Sequence, residues 1–439
     1  MAVYRNVERF ADPQTSKTPA QKEPDPQLGS DFIPKERYTS KEFAAQEWDR
    51  LWTKVWNMGC WEGDLRNPGD YVVTQLGSES IVLTRDEQGG VNAFYNVCSH
   101  RGNRVAYGEK GNTKSFRCSY HLWEYDLQGR LINVPDEETF PIGAPCEKLS
   151  IRKLPCDTWG GWVWFSLNQN VEPLEDFLGM IIEHLDPYHF DRMTLVNDVT
   201  VLWECNWKAA VDAFNESYHV AGTHPQLMSM LEDYDVQIDC YDKHSRYLIP
   251  FATVSSHWED GSMLTEAMRS YVSIYGFDQD AHKGDGLDIR RALQQHVRQS
   301  SNAMGYDFSD LNDDQLSDDY HYMIFPNITL NIHCNSVMLF RQRPHESDPN
   351  KMYFDLQNYT LMPEGEAAPE RPAHRAFKHG EESLGEVLDQ DASNLPMIQA
   401  GMNSAGYRGL WISNQELRIR HFHKTIDDYL HRTAVQWVN

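Results

Sequence analysis

The sequence predicts an α+β chain: a small antiparallel β domain followed by a larger α+β domain with an antiparallel sheet surrounded by helices. Two patterns carry that prediction. From about Gly69 to Leu167, short alternating runs such as YVVTQL, SIVLTR, VNAFYNV and WGGWVWFSL are punctuated by PGD, DEQGG and LQGR turns. Beyond them, helical segments around residues 173–190 and 205–233 give way to the β-like runs YHYMIFPNITLNI, VMLFRQRP and MYFDLQNYTLMP, and helical patterns return near 370–404 and 412–432.

In chain order, residues 1–30 are rich in Pro, Gln, Lys and Asp and read as a mobile arm or irregular wrap. SKEFAAQEWDRLWTKVWNMG follows as an amphipathic helix with a Ser40 cap and apolar Phe43, Trp48, Leu51 and Trp52 near helical spacing. The expected division is 1–45 as an N-terminal arm and helix start packing on the larger domain, 46–168 as the β domain and 169–439 as the larger domain. With 439 residues, 40% hydrophobic and 12% aromatic, the chain has enough apolar mass for both cores. No internal repeat interrupts this order.

Charge and composition exclude several classes. A formal net charge of -25 argues against general nucleic-acid binding and against an anionic membrane surface. No run of about 18 apolar residues occurs, and MAVYRNVERFADPQTSKTPAQKEPDPQ lacks the order of a signal peptide, so a cytoplasmic location is expected. Eight cysteines scattered over the chain do not form the framework of a small secreted domain, and most read as buried thiols. Cys98 and Cys118 stand apart, each with a histidine within three residues.

Those two cysteines belong to Cys98-Ser-His100 and, after 17 intervening residues, Cys118-Ser-Tyr-His121. Two thiolates and two imidazoles in paired loops suit a structural zinc ion or a [2Fe-2S] centre with two thiolates on one iron and two imidazoles on the other. The flanking strings NVCSHRGNRV and CSYHLWEYDLQGRL resemble the two cluster-binding loops of Rieske proteins. The resemblance implies a Rieske [2Fe-2S] cluster held by Cys98, His100, Cys118 and His121, with Trp123 and Tyr125 shielding or tuning it and loop amides bonding its sulfurs.

A second constellation lies in NWKAAVDAFNESYHVAGTHPQ, residues 206–226. His219 and His224 are five positions apart, off one helical face, so convergence requires a bend or helix end, expected near Ala221-Gly222. Two histidines and a carboxylate can occupy one face of Fe(II) and leave positions open. The segment resembles the mononuclear-iron motif of Rieske ring-hydroxylating oxygenases, large catalytic subunits. LDQDASNLPMIQAGM fits that family's distant carboxylate pattern through Asp391, Asn394, Gln399 and Gly401, with Asp389 as the competing acid. The resemblance also makes Glu216 a bridging acid between a cluster histidine of an adjacent subunit, His121 by analogy, and His219. Many relatives have Asp at that position, and relatives with Glu include monooxygenases.

The resemblance implies an enzyme taking electrons from NAD(P)H through a flavin reductase, with or without a ferredoxin. It implies a head-to-tail homotrimer or an α3β3 assembly. The expected reaction is O2-dependent hydroxylation of an aromatic or polycyclic compound by cis-dihydroxylation, as in aromatic hydrocarbon catabolism. The alternative is a Rieske monooxygenase or demethylase acting on an aromatic ether, steroid or quaternary amine. A non-enzymatic electron carrier or zinc protein would need only the first motif. Residues 257–325 read as a variable lid. Phe214, Val220, Leu227, Met228 and Met230 are possible cavity walls, each read first as core, and the basic run RIRHFHK reads as an exposed helix face.

Overall fold

In a computed structural model, residues 22–143, 148–258, 260–280, 282–284 and 286–432 are described. Most of the arm expected over residues 1–30 falls outside them, as does Cys146. From Lys22 onward the chain is fixed to the larger unit, where the Glu23 amide donates to Asp239 Oδ1 at 2.7 Å. The chain divides into one unit of residues 45–179 with the C-terminal residues from Tyr429, and a second of residues 180–428 with the N-terminal residues through Ala44.

The helix expected across SKEFAAQEWDRLWTKVWNMG is shorter than its periodicity suggests. Ser40 Oγ does accept the Phe43 amide at 3.1 Å, and α1 spans Lys41–Glu47, followed by one wider helical turn over Trp48–Trp52. Trp56–Trp61 is instead a strand, β1. Its aromatic and apolar residues are buried and its backbone pairs with Trp162–Ser166, a tertiary demand that overrides local helical spacing.

The rest of the first unit is antiparallel. Asp70–Leu76 (β2), Glu79–Arg85 (β3), Val91–Tyr95 (β4) and Lys110–Asn112 (β5) form one sheet, completed at its β4 edge by a later strand. Phe116–Arg117 (β6), Glu124–Tyr125 (β7) and Leu131–Asn133 (β8) make a three-stranded sheet. Lys153–Leu154 (β9) is the edge strand beside β4, while Cys156–Trp159 (β10) and Trp162–Ser166 (β11) pair beside β1. Cys98, Cys118, Trp123 and Tyr125 are buried in one core cluster with Val82, Phe94 and Phe116.

The second unit is built on eight strands. They are Met193–Trp203 (β12), Gln237–Cys240 (β13), Ser245–Ile249 (β14), Asp319–Ile324 (β15), Ile328–His333 (β16), Ser336–Pro344 (β17), Met352–Leu361 (β18) and Arg375–Lys378 (β19). Their order is β13-β14-β15-β16-β17-β18-β12-β19, antiparallel except for β19, which runs parallel to β12. That last strand corrects the helical reading of 370–404, because residues 375–378 satisfy their backbone groups on β12. The helix there spans only Glu386–Met402. The segment 205–233 also breaks, into Trp207–Phe214 (α2), Val220–Thr223 (α3) and a 3-10 turn at Leu227–Ser229. Glu266–Ser273 (α4) and Gly286–Ser300 (α5) occupy the variable region, Glu386–Met402 is α6, and α7 covers Leu417–His431. Among the described residues, no helix is long and apolar enough to cross a membrane.

Charge is buried in this sheet only where it is paired. Asp355 on β18 accepts from Thr200 Oγ1 at 2.7 Å, Arg341 Nε at 2.7 Å and Arg343 Nε at 2.7 Å. Burial works to raise its pKa, but Arg343 and Arg341 hold the carboxyl well below the usual range. A depressed native pKa gives stability that is present above the unfolded value of about 4 and fades as pH falls toward the native one. Asp355→Ala should therefore cost about 3–5 kcal/mol near neutral pH by leaving buried guanidinium groups without their carboxylate. Thermal unfolding of wild type and variant should differ most at neutral pH and converge in acid.

Candidate functional site

The local structure around residue 206 explains how two histidines five positions apart converge. Asn206 caps α2, its side chain accepting the Lys208 amide at 3.0 Å, and the helix stops at Phe214. The break lies at Asn215–Tyr218 rather than at Ala221-Gly222, so Gly222 sits inside α3 and provides no bend. His219 and His224 bracket that one-turn helix from its two ends. The Glu216 carboxylate holds the turn, accepting the His219 backbone N–H on Oε2 at 3.0 Å.

Asp391 reaches the pair from α6. His224 Nε2 lies 2.8 Å from Asp391 Oδ1 and His219 Nε2 lies 3.5 Å from the same oxygen. One possible ligand atom from each of the three residues falls within 4.8 Å of the other two. Gln399, from the same sequence pattern, accepts the Asn206 backbone N–H on Oε1 at 2.7 Å and so ties α6 to the start of α2. Asp389, the competing acid, is engaged elsewhere, accepting the Leu384 amide at 2.8 Å beside the helix start.

The outer nitrogens of both imidazoles are also held. His219 Nδ1 lies 2.6 Å from Glu216 Oε1, and His224 Nδ1 lies 2.7 Å from Gln390 Oε1. Each Nδ1 is engaged outward by an oxygen, which turns both Nε2 atoms toward Asp391. Gln390 escaped the sequence reading because a polar residue beside an acid in a charged helix carries no spacing signal. Burial lowers the pKa of His219, but Asp391 and Glu216 outweigh it and push the value up to about 10. Burial likewise opposes ionisation of Asp391, whose pKa is nevertheless held down by its bonds to His219 and His224. Without metal these groups form a proton-sharing cluster, and a divalent cation would take the place of the shared proton. Two neutral imidazoles and one carboxylate are the donor set of a facial-triad iron site.

In the first unit, Cys98 and Cys118 are neighbours at the bases of two loops closed by hydrogen bonds, the Cys98 backbone N–H donating to Asn103 O at 2.6 Å and that of Cys118 to Trp123 O at 2.9 Å. Burial raises the Cys98 thiol despite the bond from Tyr125, whose hydroxyl is 3.2 Å away. At Cys118 burial is outweighed by the Tyr120 and His121 amides, and its pKa falls. The imidazoles of His100 and His121 lie 4.4 Å apart between centroids, and Trp123 stacks on His100 at 4.6 Å. His100 Nδ1 is buried with no hydrogen-bond partner. That unpartnered ring nitrogen could serve a metal, and a donor set of two cysteines and two histidines fits a Rieske cluster.

The family pattern for a Rieske [2Fe-2S] domain matches residues 55–153, and that for the ring hydroxylating alpha subunit (catalytic domain) matches residues 190–432, more than half of the chain. The chain belongs to the Rieske ring-hydroxylating oxygenase alpha-subunit family. This family carries a Rieske cluster and a mononuclear non-haem iron, supplied with electrons by a reductase. The chain is 29% identical over 235 residues to the glycine betaine monooxygenase oxygenase subunit of Chromohalobacter salexigens, covering 53% of this chain and 51% of that protein. It is 31% identical over 199 residues to the benzene 1,2-dioxygenase subunit alpha of Pseudomonas putida, 44% of each. The aligned stretch thus spans about half the length of these curated relatives. The fold is that of a quaternary ammonium Rieske monooxygenase with a role in carnitine oxidation and inter-subunit electron transfer: TM-score 0.66, 18% identity, 93% of this chain and 100% of that one.

Of the expectations for nearby residues, the core reading of the apolar ones agrees with their packing and the exposed reading of the basic run needs correction. Phe214 stacks at 5.6 Å on Phe354 and at 6.3 Å on Trp203, whereas Val220 heads a different cluster with Leu227 and Met228 packed on it. The run RIRHFHK is not simply an exposed face: Arg418, Phe422 and His423 are buried. The seven-residue span covers two helical turns, and the side that faces the sheet takes some of its basic residues inside.

If Asp391 is the third iron ligand, Asp391→Ala should lose mononuclear iron while the visible spectrum of the cluster persists. Iron and acid-labile sulfide analysis alongside absorbance measures both, and normal iron content in the variant would defeat the assignment.

Proposed function

We propose that this chain is the catalytic subunit of an O2-dependent Rieske oxygenase that inserts one oxygen atom into an organic substrate. Cys98 and Cys118 would hold one iron of the cluster and His100 and His121 the other, while His219, His224 and Asp391 would hold the mononuclear iron. With these groups bound, the centre supplies single electrons and reductive activation of O2. The observation that carries the reading is the 2.6 Å contact between Glu216 Oε1 and His219 Nδ1, on the same ring whose Nε2 faces Asp391.

The residues divide the work. Glu216 and Gln390 fix the imidazole tautomers, so that neither histidine has to reorient to present Nε2. Glu216 also lines a cavity of about 580 Å3 with Asp212, Met397, Ile398, Tyr407 and Leu410. Met397 and Ile398 are 66% and 42% exposed, an apolar rim suited to another protein surface. This groove supports a homotrimer in which the cluster loops of a neighbouring copy, with His121 foremost, dock beside Glu216. The similar monooxygenase for which inter-subunit electron transfer is described points the same way. Electrons would enter from a reductase, with or without a ferredoxin.

One-oxygen insertion is favoured over the ring dihydroxylation expected from sequence by Glu216 in place of Asp, and by likeness to the glycine betaine monooxygenase subunit. Likeness to the benzene 1,2-dioxygenase subunit supports cis-dihydroxylation as the second reading. Turnover under 18O2 with a reconstituted reductase, over quaternary amines, aromatic acids, aromatic hydrocarbons and steroids, separates them. One labelled oxygen per product is expected, and two in a cis-diol would establish the second reading. Glu216→Gln should keep both metal centres yet slow single-turnover reoxidation of the reduced cluster by at least roughly tenfold, because the amide cannot hold both His219 donors. An unchanged rate would remove Glu216 from the electron path.

A further inference from the structure

The paired cysteines of the first unit are each met by a side-chain donor, and the two donors differ in origin. Tyr125 serves Cys98: its hydroxyl oxygen accepts the Ser99 N–H at 3.0 Å, which leaves its own hydrogen for Cys98 Sγ at 3.2 Å. Asn103 serves Cys118, Nδ2 donating to Sγ at 3.8 Å, a length that suits the larger radius of sulfur. Asn103 lies on the loop of Cys98 and His100, so its amide crosses from that loop to the other.

Both the main chain and the amide of Asn103 are held for this crossing. The Cys98 N–H donates to the Asn103 carbonyl at 2.6 Å, and the Gly102 N–H returns to the Cys98 carbonyl at 3.0 Å, which together fix the backbone there. The Tyr107 hydroxyl donates to the Arg104 carbonyl at 2.7 Å, so its oxygen is an acceptor toward the Ser119 N–H at 3.0 Å and Asn103 Nδ2 at 3.1 Å. An acceptor at that point selects the NH2 end of the amide, which places a donor beside Cys118 and turns the carbonyl oxygen away from it. Cys118 is 1% exposed, so little water competes for its sulfur.

We infer that Asn103 tunes the reduction potential of the cluster, its side-chain N–H bonding the Cys118 sulfur and stabilising the reduced form. The inference rests on the assignment of Cys98, His100, Cys118 and His121 as the cluster ligands. One-electron reduction adds negative charge to the centre, and a donor at a ligand sulfur is attracted more strongly once that charge is present. Hydrogen bonds to the sulfurs are among the levers that set such potentials. Where water is largely excluded, the bond is electrostatically stronger than it would be in solution. Asn103 acts through Cys118 and touches no substrate; it makes the cluster a better acceptor from the reductase and a weaker donor onward.

The test is a redox titration of the full chain with its cluster in place, followed by visible circular dichroism, for wild type, Asn103→Leu and Asn103→Asp. Leu matches Asn in shape and has no donor, whereas Asp replaces the donor with a negative charge. Both variants should retain iron and acid-labile sulfide. At a fixed ambient potential their ratio of reduced to oxidised cluster should fall at least roughly threefold, about 28 mV for a one-electron couple. A second readout is the magnetic coupling of the reduced cluster to exchangeable deuterons after transfer to D2O, where wild type should show a coupling that Asn103→Leu lacks. An unmoved ratio in either variant that keeps its cluster, or a deuteron coupling unchanged in Asn103→Leu, would overturn the inference. Loss of the cluster from both variants would overturn it too, by making Asn103 a structural residue of the loop. Wild-type protein without acid-labile sulfide would instead defeat the ligand assignment and the inference with it, so the two failures are told apart.

Discussion

The site depends on one hydrogen bond far from any ligand atom: the Asn206 amide donating to Gln399 Oε1 at 2.7 Å. Asp391 is 167 residues from His224 in sequence, and nothing local brings them together. The bond sets the first turn of α2 against α6, and Gln399 continues through Nε2 to Asn350 Oδ1 at 2.8 Å. Because the amide is buried at a helix start, where no intrahelical acceptor exists, its only satisfaction is tertiary. Helix position, and with it the placement of a carboxylate two turns away, is thus fixed by the need to satisfy a backbone group.

The sequence made the chemistry more legible than the backbone. Cys98, His100, Cys118 and His121, and the two histidines of the second motif, could be picked out because cysteine and histidine at such fixed separations are rare combinations. Their surroundings were legible only where side chains flank the motif, as with Trp123 and Tyr125. Gln390 was invisible, since its role depends on the face of α6 that meets His224. The α+β class and the antiparallel strands were readable from alternation and turns. Trp56–Trp61 and Arg375–Lys378 were not, because their partners, Trp162–Ser166 and Val199–Leu202, lie far away in the chain.

The basic run near the C-terminus shows the same limit in electrostatic form. Clustered charge in sequence suggests solvent, and Lys424 does lie outside, yet Arg418 and His423 are inside. His423 Nε2 lies 2.7 Å from the Tyr38 hydroxyl, which donates to Asp212 at 2.5 Å, so a polar chain joins α7, the segment before α1, and α2. Nε2–H of His423 donates to the tyrosine oxygen, and burial lowers the pKa of the ring although Asp212 opposes it. Charge counts describe the field around a molecule and say little about which residues remain in it.

Glu216 has a further consequence through the length of its side chain. Both carboxylate oxygens are engaged on the same residue, Oε1 with the ring and Oε2 with the backbone N–H of His219. The residue is therefore held at two points, the ring through Nδ1 and the main chain through N–H, so the ring resists libration about its Cβ–Cγ axis. Aspartate, one methylene shorter, would have to shift the main chain or give up one of the two contacts. In the proposed enzyme a ring so clamped would contribute little reorganisation energy when an electron arrives, and that economy of motion belongs to the acid rather than to the metal.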